Sequence, residues 1–259
     1  MRTQLAPTAD VSAASWLAPR LGPFGRQVGS FVPDGFEAYA RVLHPVPRGT
    51  DARATWADVC AAGGRRPHAL MQWDTISRGA EKRARSAGPS SHPGMGEPPE
   101  PGNLHSAALT ALCDVLARHT RPEQECVFAL WDGYGWIQGT PSAVLVGGTA
   151  PVPPALPRSV LDGPRLRLHC RDYLLFTGTL SAAASMGWHA APGWFVPQSP
   201  NLFWPHDRSW CVATEIDLDS TLVAGTKELV RAVLAAPGLE AWPVTADDFL
   251  SRDGDHGDA

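Results

Sequence analysis

The sequence predicts an α+β protein in which helices pack on a mainly antiparallel or mixed sheet. Helical and strand patterns do not alternate strictly along the chain, which argues against a doubly wound parallel sheet. Hydrophobic residues make up 44% and charged residues 19% of the 259 residues, a balance typical of soluble globular proteins. A chain of this length buries a substantial core. We therefore expect a single globular domain with a long Gly/Pro/Ser-rich loop.

Shifts in composition divide the chain into regions. Residues 1–30 are interrupted by prolines and predict an irregular lead-in, and residues 31–250 predict the domain itself. Gly, Pro and Ser dominate residues 78–103, which predicts a mobile loop, either disordered or a lid over a site, with disorder favoured. The acidic, glycine-rich residues 251–259 predict a disordered tail.

Helices are predicted from apolar spacing and from residues that cap helix ends. Thr55, Asn103 and Thr226 are of the types whose side chains accept hydrogen bonds from the first turn of a helix. Apolar residues follow each of them at helical spacing. The predicted helices span residues 12–18, 34–44, 56–62, 104–119, 181–186 and 227–236.

Strands are predicted where apolar and β-branched residues run together or alternate. Residues 126–131 are almost continuously apolar, which favours a central strand, and residues 165–170 and 173–177 are expected to pair. Residues 143–146 predict a further short strand. In residues 210–217 alternate side chains are expected to face the core, so that the remaining small and acidic side chains face away.

Charge and cysteine usage limit the partners and the compartment. A net charge of −4 and a pI near 6.1 give no basic surface, so we expect no nucleic-acid partner. Prolines interrupt the first thirty residues, which predicts neither a signal peptide nor a membrane span. Five widely spaced cysteines without a C-x-x-C pair predict buried thiols in a reducing cytosol, not disulfides or a zinc site. We expect a cytoplasmic protein without a cofactor.

A turn just before residues 210–217 gathers polar and aromatic side chains. His206, Asp207 and Arg208 offer a base, a carboxylate and an anion-binding guanidinium within one turn. If this strand neighbours residues 126–131, three of the ten tryptophans wall one aromatic cleft for a flat or apolar ligand. The predicted ligand site comprises Trp131, Asp132, Trp204, His206, Asp207, Arg208 and Trp210. The alternative interpretation is a hairpin turn over core tryptophans, with a surface Asp–Arg pair.

Asp217 and Asp219, in the sequence Asp-Leu-Asp-Ser-Thr, form a second candidate site. Carboxylates at alternate positions of a strand end lie on one face and could share a hard cation. The pattern resembles the nucleophile motif of haloacid-dehalogenase-like phosphatases, in which the first Asp attacks phosphorus and the second acts as acid or base. In that family the motif opens a doubly wound domain, whereas here it lies near the end of the chain. The alternative is a turn at Asp219 before the helix that Thr226 caps.

Several longer segments resemble a family of uncharacterised proteins from high-GC bacteria. They are VPDGFEAYARVLHPV, RPHALMQW, ARHTRPEQECVFALWDGYG, RDYLLFTGTL and SPNLFWPHDRSWCVATEIDLDSTLVAG, spread over residues 28–245. This resemblance implies no activity, cofactor or catalytic residue. The acidic α+β character is also similar to that of the SUKH immunity and adaptor proteins, which implies an immunity-like interaction role.

Two functions stay open at this point. The first is a non-enzymatic cytoplasmic binding or interaction protein, immunity-like, that takes a protein partner or a small aromatic or apolar ligand. The alternative is a metal-assisted hydrolase of small molecules that uses Asp217 and Asp219 together with the turn at residues 206–208.

Overall fold

An antiparallel sheet of nine strands is the centre of the fold. The structure is a computed structural model that describes residues 5–49, 52–87, 97–139, 153–251 and 254–255. Its strands are β1 (Ala6–Thr8), β2 (Ala38–Leu43), β3 (Val46–Arg48), β4 (Ala52–Ala54), β5 (Glu125–Trp131), β6 (Leu166–Leu168), β7 (Arg171–Thr179), β8 (Gly187–Ala191), β9 (Trp194–Pro197), β10 (Leu202–Pro205), β11 (Cys211–Ala213), β12 (Ser220–Gly225) and β13 (Glu240–Val244). The α-helices are α1 (Trp56–Gly63), α2 (Trp73–Ala87), α3 (Ser106–Ala117), α4 (Gly135–Gln138), α5 (Arg158–Leu161) and α6 (Lys227–Leu234).

The strand order confirms the predicted α+β class. The sheet runs β1-β7-β5-β10-β11-β12-β2-β13, with β6 also paired to β7, and every pairing in it is antiparallel. The strands β3 and β4 form one separate hairpin, and β8 and β9 form another. Four 3₁₀ helices, at Val11–Ala14, Ala18–Arg20, Val28–Ser30 and Leu180–Ser185, complete the described elements. None of the described helices is long and apolar enough to cross a membrane.

Both faces of the sheet are buried, and each carries its own core. Helices α3 and α6 cover one face, where Leu112, Phe128 and Trp210 pack together. The segment of residues 11–36 covers the other face, where Leu17 and Trp204 are buried. A third cluster forms between α1, α2 and the β3–β4 hairpin. This double coverage explains why many strands are apolar on both sides.

The prediction of a helix over residues 34–44 is wrong, because Ala38–Leu43 forms strand β2. Ala40 and Val42 face the α3 and α6 core, whereas Tyr39 and Leu43 face the opposite side. That alternation is the period of a strand. β2 lies between β12 and β13 in the sheet, so backbone pairing on both edges overrides the helical propensity of its alanines.

The predicted loop over residues 78–103 is in part helical. Helix α2 extends to Ala87, since Ile76 and Ala80 pack in the third core cluster and exposed pairs such as Asp74–Arg78 lie one turn apart. Residues 88–96 lie outside the described part of the chain. Residues 97–103 are irregular but bonded, with Gly102 N donating to Leu218 O at 2.9 Å.

The chain ends also differ from the predicted lead-in and tail. Residues 5–30 contain strand β1, which pairs with β7, and three 3₁₀ helices. One of these, Val11–Ala14, overlaps the helix predicted over residues 12–18. Trp16 and Leu17 are buried against the sheet, which explains why this proline-rich segment is part of the domain. In the predicted tail, Gln72 N donates to Asp255 Oδ2 at 3.2 Å, while residues 252–253 and 256–259 lie outside the described residues.

Most of the other predicted elements are confirmed. Helix α1 has a capping box in which the Thr55 hydroxyl and the Asp58 carboxylate accept from each other's backbone N–H groups. Thr226 caps α6, and α3 begins at Ser106 with His105 in the capping position that Asn103 was expected to hold. The pairing of β6 with β7 is as predicted. The α-helix predicted over residues 181–186 is instead the 3₁₀ helix Leu180–Ser185. The strand predicted at 143–146 lies outside the described residues.

Candidate functional site

The sheet separates the residues of the predicted aromatic cleft. β5 and β10 are neighbours, as the prediction required, but they are antiparallel, with Leu202 opposite Ala129 and Pro205 opposite Cys126. Trp131 therefore lies at one end of this strand pair and the turn after Pro205 lies at the other. The predicted cleft shared by Trp131 and this turn is wrong.

The two tryptophans of the predicted turn lie on opposite faces of the sheet. Trp204 is 1% exposed and packs edge-on against Trp16 at a centroid distance of 6.0 Å. Trp210 is also 1% exposed but belongs to the α3 and α6 core, where its indole N–H donates to Thr120 Oγ1 at 3.0 Å. Both tryptophans are therefore core residues, in accord with the alternative interpretation of the turn.

The polar residues of the turn lie on the surface of the β10–β11 hairpin. His206 Nε2 is 3.7 Å from Glu125 Oε2, and both side chains are more than half exposed. Burial alone would raise the pKa of Asp207, but hydrogen bonds from Ser209 lower it below its ordinary value. The Arg208 guanidinium lies 5.6 Å from the centroid of the Trp16 ring. These contacts are typical of a surface turn, and a binding role for it stays a prediction.

Trp131 and Asp132 hold a loop at the other end of the sheet. Asp132 Oδ2 accepts from Arg165 Nε at 2.5 Å, and Arg165 also donates to the backbone oxygens of Val160 and Gly163. Trp131 N donates to Asn201 Oδ1 at 2.7 Å, and its ring lies 5.7 Å from the guanidinium carbon of Arg171. Asp132 thus fastens α5 and the residues after it to the sheet.

The second candidate pair, Asp217 and Asp219, lines a cleft of about 490 Å³ in the connection between β11 and β12. The predicted strand over residues 210–217 is shorter than expected, since β11 ends at Ala213 and both aspartates follow it in a loop. We call this the Trp73 cleft. It is lined by Arg26, Gln72, Trp73, Asp74, Pro98, Pro99, Pro101, Asp217, Asp219 and Ser251.

A buried arginine holds Asp219 in the Trp73 cleft. Arg41 Nη2 lies 3.5 Å from Asp219 Oδ1, and the Arg41 side chain is 1% exposed. Arg41 Nη1 also donates to the backbone oxygens of Ala69 and Met71, at 3.0 and 2.9 Å. Burial lowers the pKa of Arg41 and raises the pKa of Asp219, because the loss of hydration outweighs the attraction between them.

A second arginine orients Asp217. Arg171 Nη2 donates to Asp217 Oδ2 at 2.6 Å and to Glu215 Oε1 at 2.8 Å. Burial raises the pKa of Glu215 despite these bonds. The Asp217 side chain is 71% exposed, so this carboxylate lies at the rim of the cleft while Asp219, at 26%, lies deeper.

Residues 97–103 form the proline wall of the cleft and are fastened to its carboxylate wall. Gly102 has a φ of +70°, and a Cβ added there would lie 2.7 Å from the Cα of Ile216. His44 Nδ1 donates to Glu100 O at 2.7 Å, which leaves His44 Nε2 to accept from the Thr221 hydroxyl at 3.0 Å. Burial lowers the pKa of His44 to about 4, so the imidazole is neutral at pH 7.

Trp73 supplies the aromatic surface of the cleft and was not predicted as a site residue. It is the first residue of α2 and is half-buried, with its ring edge-on to Trp56 at 5.6 Å. Asp74, the next residue, is 61% exposed and lies 3.4 Å from Arg78. The only sequence signal was the short apolar run before it, which is too brief to assign by periodicity.

A tryptophan and carboxylates that line one cleft suit a cationic group, because an indole ring attracts the charge and the carboxylates accept the N–H groups of the cation. Within the described residues, no group of three or more His, Cys, Asp or Glu side chains is arranged to hold a metal ion. Asp217 and Asp219 each have an arginine partner, which competes with a metal for the same oxygens. The metal alternative stays a prediction.

No family model matches this chain, and comparison with curated proteins and with solved structures finds no significant match. The resemblances to proteins of high-GC bacteria and to SUKH proteins therefore stay predictions. The site is defined by its geometry alone.

Proposed function

We propose that this protein is a cytoplasmic, non-enzymatic binding protein whose Trp73 cleft receives a lysine or arginine side chain of a protein partner. The observation that carries the proposal is that Trp73 and three carboxylates, those of Asp74, Asp217 and Asp219, line one cleft. Cations over a tryptophan face gain about 0.5 to 2 kcal/mol, and charge-assisted hydrogen bonds to carboxylates add to this.

The size and exposure of the cleft suit one inserted side chain better than a flat protein surface. Its volume of about 490 Å³ lies in the range of sites that enclose a small group. Asp74 and Asp217 are 61% and 71% exposed, so they meet an incoming cation first, and Asp219 lies further in. This gradient favours a long cationic side chain that enters end-on.

The arginines behind the carboxylates favour a hydrogen-bonding cation over a bare metal ion. Arg41 and Arg171 fix the orientation of Asp219 and Asp217, which lowers the entropic cost of binding. They also neutralise part of the carboxylate charge. A metal ion such as Mg²⁺ needs several unshared oxygen ligands, whereas a guanidinium or ammonium group needs only suitably placed acceptors.

The net charge of −4 supports a basic partner. An immunity-like role, in which the partner is a basic protein neutralised by binding, is consistent with this charge and with the resemblance to SUKH proteins. In this proposal the partner is recognised by charge and by one inserted side chain.

Capture experiments with matched variants test this function. Wild-type protein and the Asp217→Asn and Asp114→Asn variants are immobilised and exposed to lysate of a high-GC bacterium. Asp114 is exposed on α3 and does not line the cleft, so its variant carries the same charge change elsewhere. We expect a partner that binds wild type and Asp114→Asn but not Asp217→Asn. Equal capture by all three, or no specific capture, contradicts the proposal.

The metal-assisted hydrolase is a second candidate because Asp217 and Asp219 line the same cleft. Thermal unfolding with and without a large excess of Mg²⁺ or Mn²⁺ tests it, because a ligand that binds only the folded state raises Tm when its concentration is well above its Kd. The hydrolase predicts a metal-dependent rise in Tm that Asp217→Asn abolishes. Unchanged Tm in wild type excludes a metal site of useful affinity and leaves the binding function.

A further inference from the structure

Asp255 is hydrogen-bonded to the start of helix α2, 183 positions earlier in the chain. Its Oδ2 accepts from Gln72 N at 3.2 Å, and its Oδ1 lies 2.9 Å from His68 Nε2. The approach of His68 is not aligned as a hydrogen bond, so the bond from Gln72 is the directional one. The Asp255 side chain is only 4% exposed, and a carboxylate so deeply buried is costly without polar partners. These two contacts therefore decide where Asp255 lies.

The residues next to Asp255 fix the backbone that delivers it. Leu250 is 1% exposed and anchors the preceding part of the chain in the core. Gly254 N donates to Ser251 O at 2.9 Å. A Cβ added at Gly254 would collide with the backbone oxygen of Phe249, so only glycine fits this close approach.

Asp255 acts on residues that line the Trp73 cleft. Gln72 and Ser251 both line it. Gln72 directly precedes Trp73, the first residue of α2, and its backbone oxygen accepts from Thr75 N at 3.0 Å. The bond from Gln72 N to Asp255 therefore fixes the residue from which α2 starts. A carboxylate is also favoured at this end of a helix, where the backbone dipole is positive.

Arg41 is a second link between Asp255 and the cleft. Burial lowers the pKa of Arg41, while attraction to Asp219 and, less strongly, to Asp255 raises it. The same guanidinium holds Asp219 in the cleft. The charge of Asp255 thus acts on the group that orients one of the carboxylates of the cleft.

We propose that Asp255 is a positioning residue of the Trp73 cleft, which sets Gln72 and Trp73 for the cationic side chain of the partner. This inference rests on the proposed function, because the cation is the ligand proposed for the cleft. Without the Asp255 carboxylate, Gln72 N loses its acceptor and the start of α2 is free to shift. The cleft is then no longer preorganised and binds a cation more weakly, although the sheet keeps its structure.

NMR of Asp255→Ala, Asp255→Asn and a matched control tests this role. Asp255→Asn is the conservative variant, since its amide oxygen can still accept from Gln72 N. Asp247 is exposed and does not line the cleft, so Asp247→Asn makes the same charge change at an indifferent position. The Trp73 indole N–H and the Gln72 amide are followed in the free protein and during titration with N-acetyl-arginine amide. Amide signals of β5 report whether the sheet is intact.

In the free protein we expect Asp255→Ala to shift the Trp73 indole signal and to speed hydrogen exchange at Gln72 N about tenfold or more, with β5 unchanged. Binding of N-acetyl-arginine amide should weaken about tenfold in Asp255→Ala and about threefold in Asp255→Asn. In Asp247→Asn it should weaken less than about twofold. A residue that only stabilised the fold would leave the affinity of the folded protein unchanged.

Unchanged affinity in Asp255→Ala, or an unmoved Trp73 signal, would overturn this inference and leave the proposed function intact. Equal weakening by Asp255→Asn and Asp247→Asn would show a general effect of charge and would also overturn it. No binding by wild type would overturn the proposed function, and the Trp73 and Gln72 signals of the free variants would still decide whether Asp255 positions the cleft. If Asp255→Ala does not fold, Asp255→Asn decides by the same criteria.

Discussion

Arg41 Nη2 lies 3.5 Å from Asp219 Oδ1, although the two residues are 178 positions apart in the chain. The same guanidinium donates to the backbone oxygens of Ala69 and Met71 and, through Nε, to Ser220 Oγ. One buried cation therefore joins β2, the segment before α2 and the loop that carries the carboxylates of the Trp73 cleft. Stability and the shape of the cleft depend on the same contacts.

Replacing Asp219 should be costly, and replacing Asp217 should not. Asp219→Asn leaves the fully buried Arg41 without its carboxylate, which we expect to lower the free energy of unfolding by about 2 to 3 kcal/mol. Asp217→Asn leaves Arg171 bonded to Glu215 and should cost less than about 1 kcal/mol. Urea denaturation measures both values, and equal losses would contradict the role given to Arg41.

Gly102 tests how the two walls of the cleft are joined. Gly102→Ala combines a strained φ of +70° with a Cβ 2.7 Å from the Ile216 backbone, so we expect a loss of about 2 kcal/mol or more. Gly193 has a φ of +79° with open space around it, so Gly193→Ala should cost only about 1 kcal/mol. The loss of stability in Gly102→Ala beyond that in Gly193→Ala measures the contact between the two walls. Equal losses in the two variants would contradict this contact.

His44 should make stability depend on pH. Its pKa is lowered by burial to about 4, so the unfolded chain binds a proton near pH 6.5 that the folded protein binds only near pH 4. The contribution of His44 is present above pH 6.5 and is lost as the pH falls toward 4, by about 2 to 3 kcal/mol between pH 7 and pH 4.5. Denaturation of wild type and His44→Gln at both pH values should show a smaller pH effect in the variant.

A single cysteine should react rapidly in the folded protein. Cys170 is exposed, whereas the other four cysteines are buried and burial raises the pKa of Cys113 and Cys126 to about 12. Ellman's reagent should modify one thiol quickly in native protein and all five after denaturation. Cys170→Ser should remove the fast phase. Two or more fast thiols in native protein would show that the core around the buried cysteines opens readily.

Much of the fold follows from local sequence signals. Thr55 and Asp58 form the capping box of α1, and the apolar run of β5 is a central strand, because these patterns act within a few residues. The apolar spacing of residues 34–44 predicts a helix, but Ala38–Leu43 is strand β2. Its strand state depends on β12 and β13, which lie almost two hundred residues later in the chain.

The candidate site was only partly predictable. The spacing of Asp217 and Asp219 predicts a shared site, and both line the cleft. Their arginine partners, Arg41 and Arg171, come from distant strands and leave no local signal. The shared cleft of Trp131 with Trp204 failed because neighbouring strands can run in either direction, and antiparallel pairing moves the two ends apart. Contacts between remote segments decide such sites.

The most direct test of the cleft is a titration with a single cationic side chain. N-acetyl-arginine amide and N-acetyl-citrulline amide, its neutral isostere, are added to protein labelled for detection of the Trp73 indole N–H by NMR. A single side chain should bind with a Kd of about 1 mM. We predict a saturable shift of the Trp73 signal with the arginine compound that Asp217→Asn weakens, and little shift with citrulline. No shift with arginine, or equal shifts with both compounds, would contradict the proposed function.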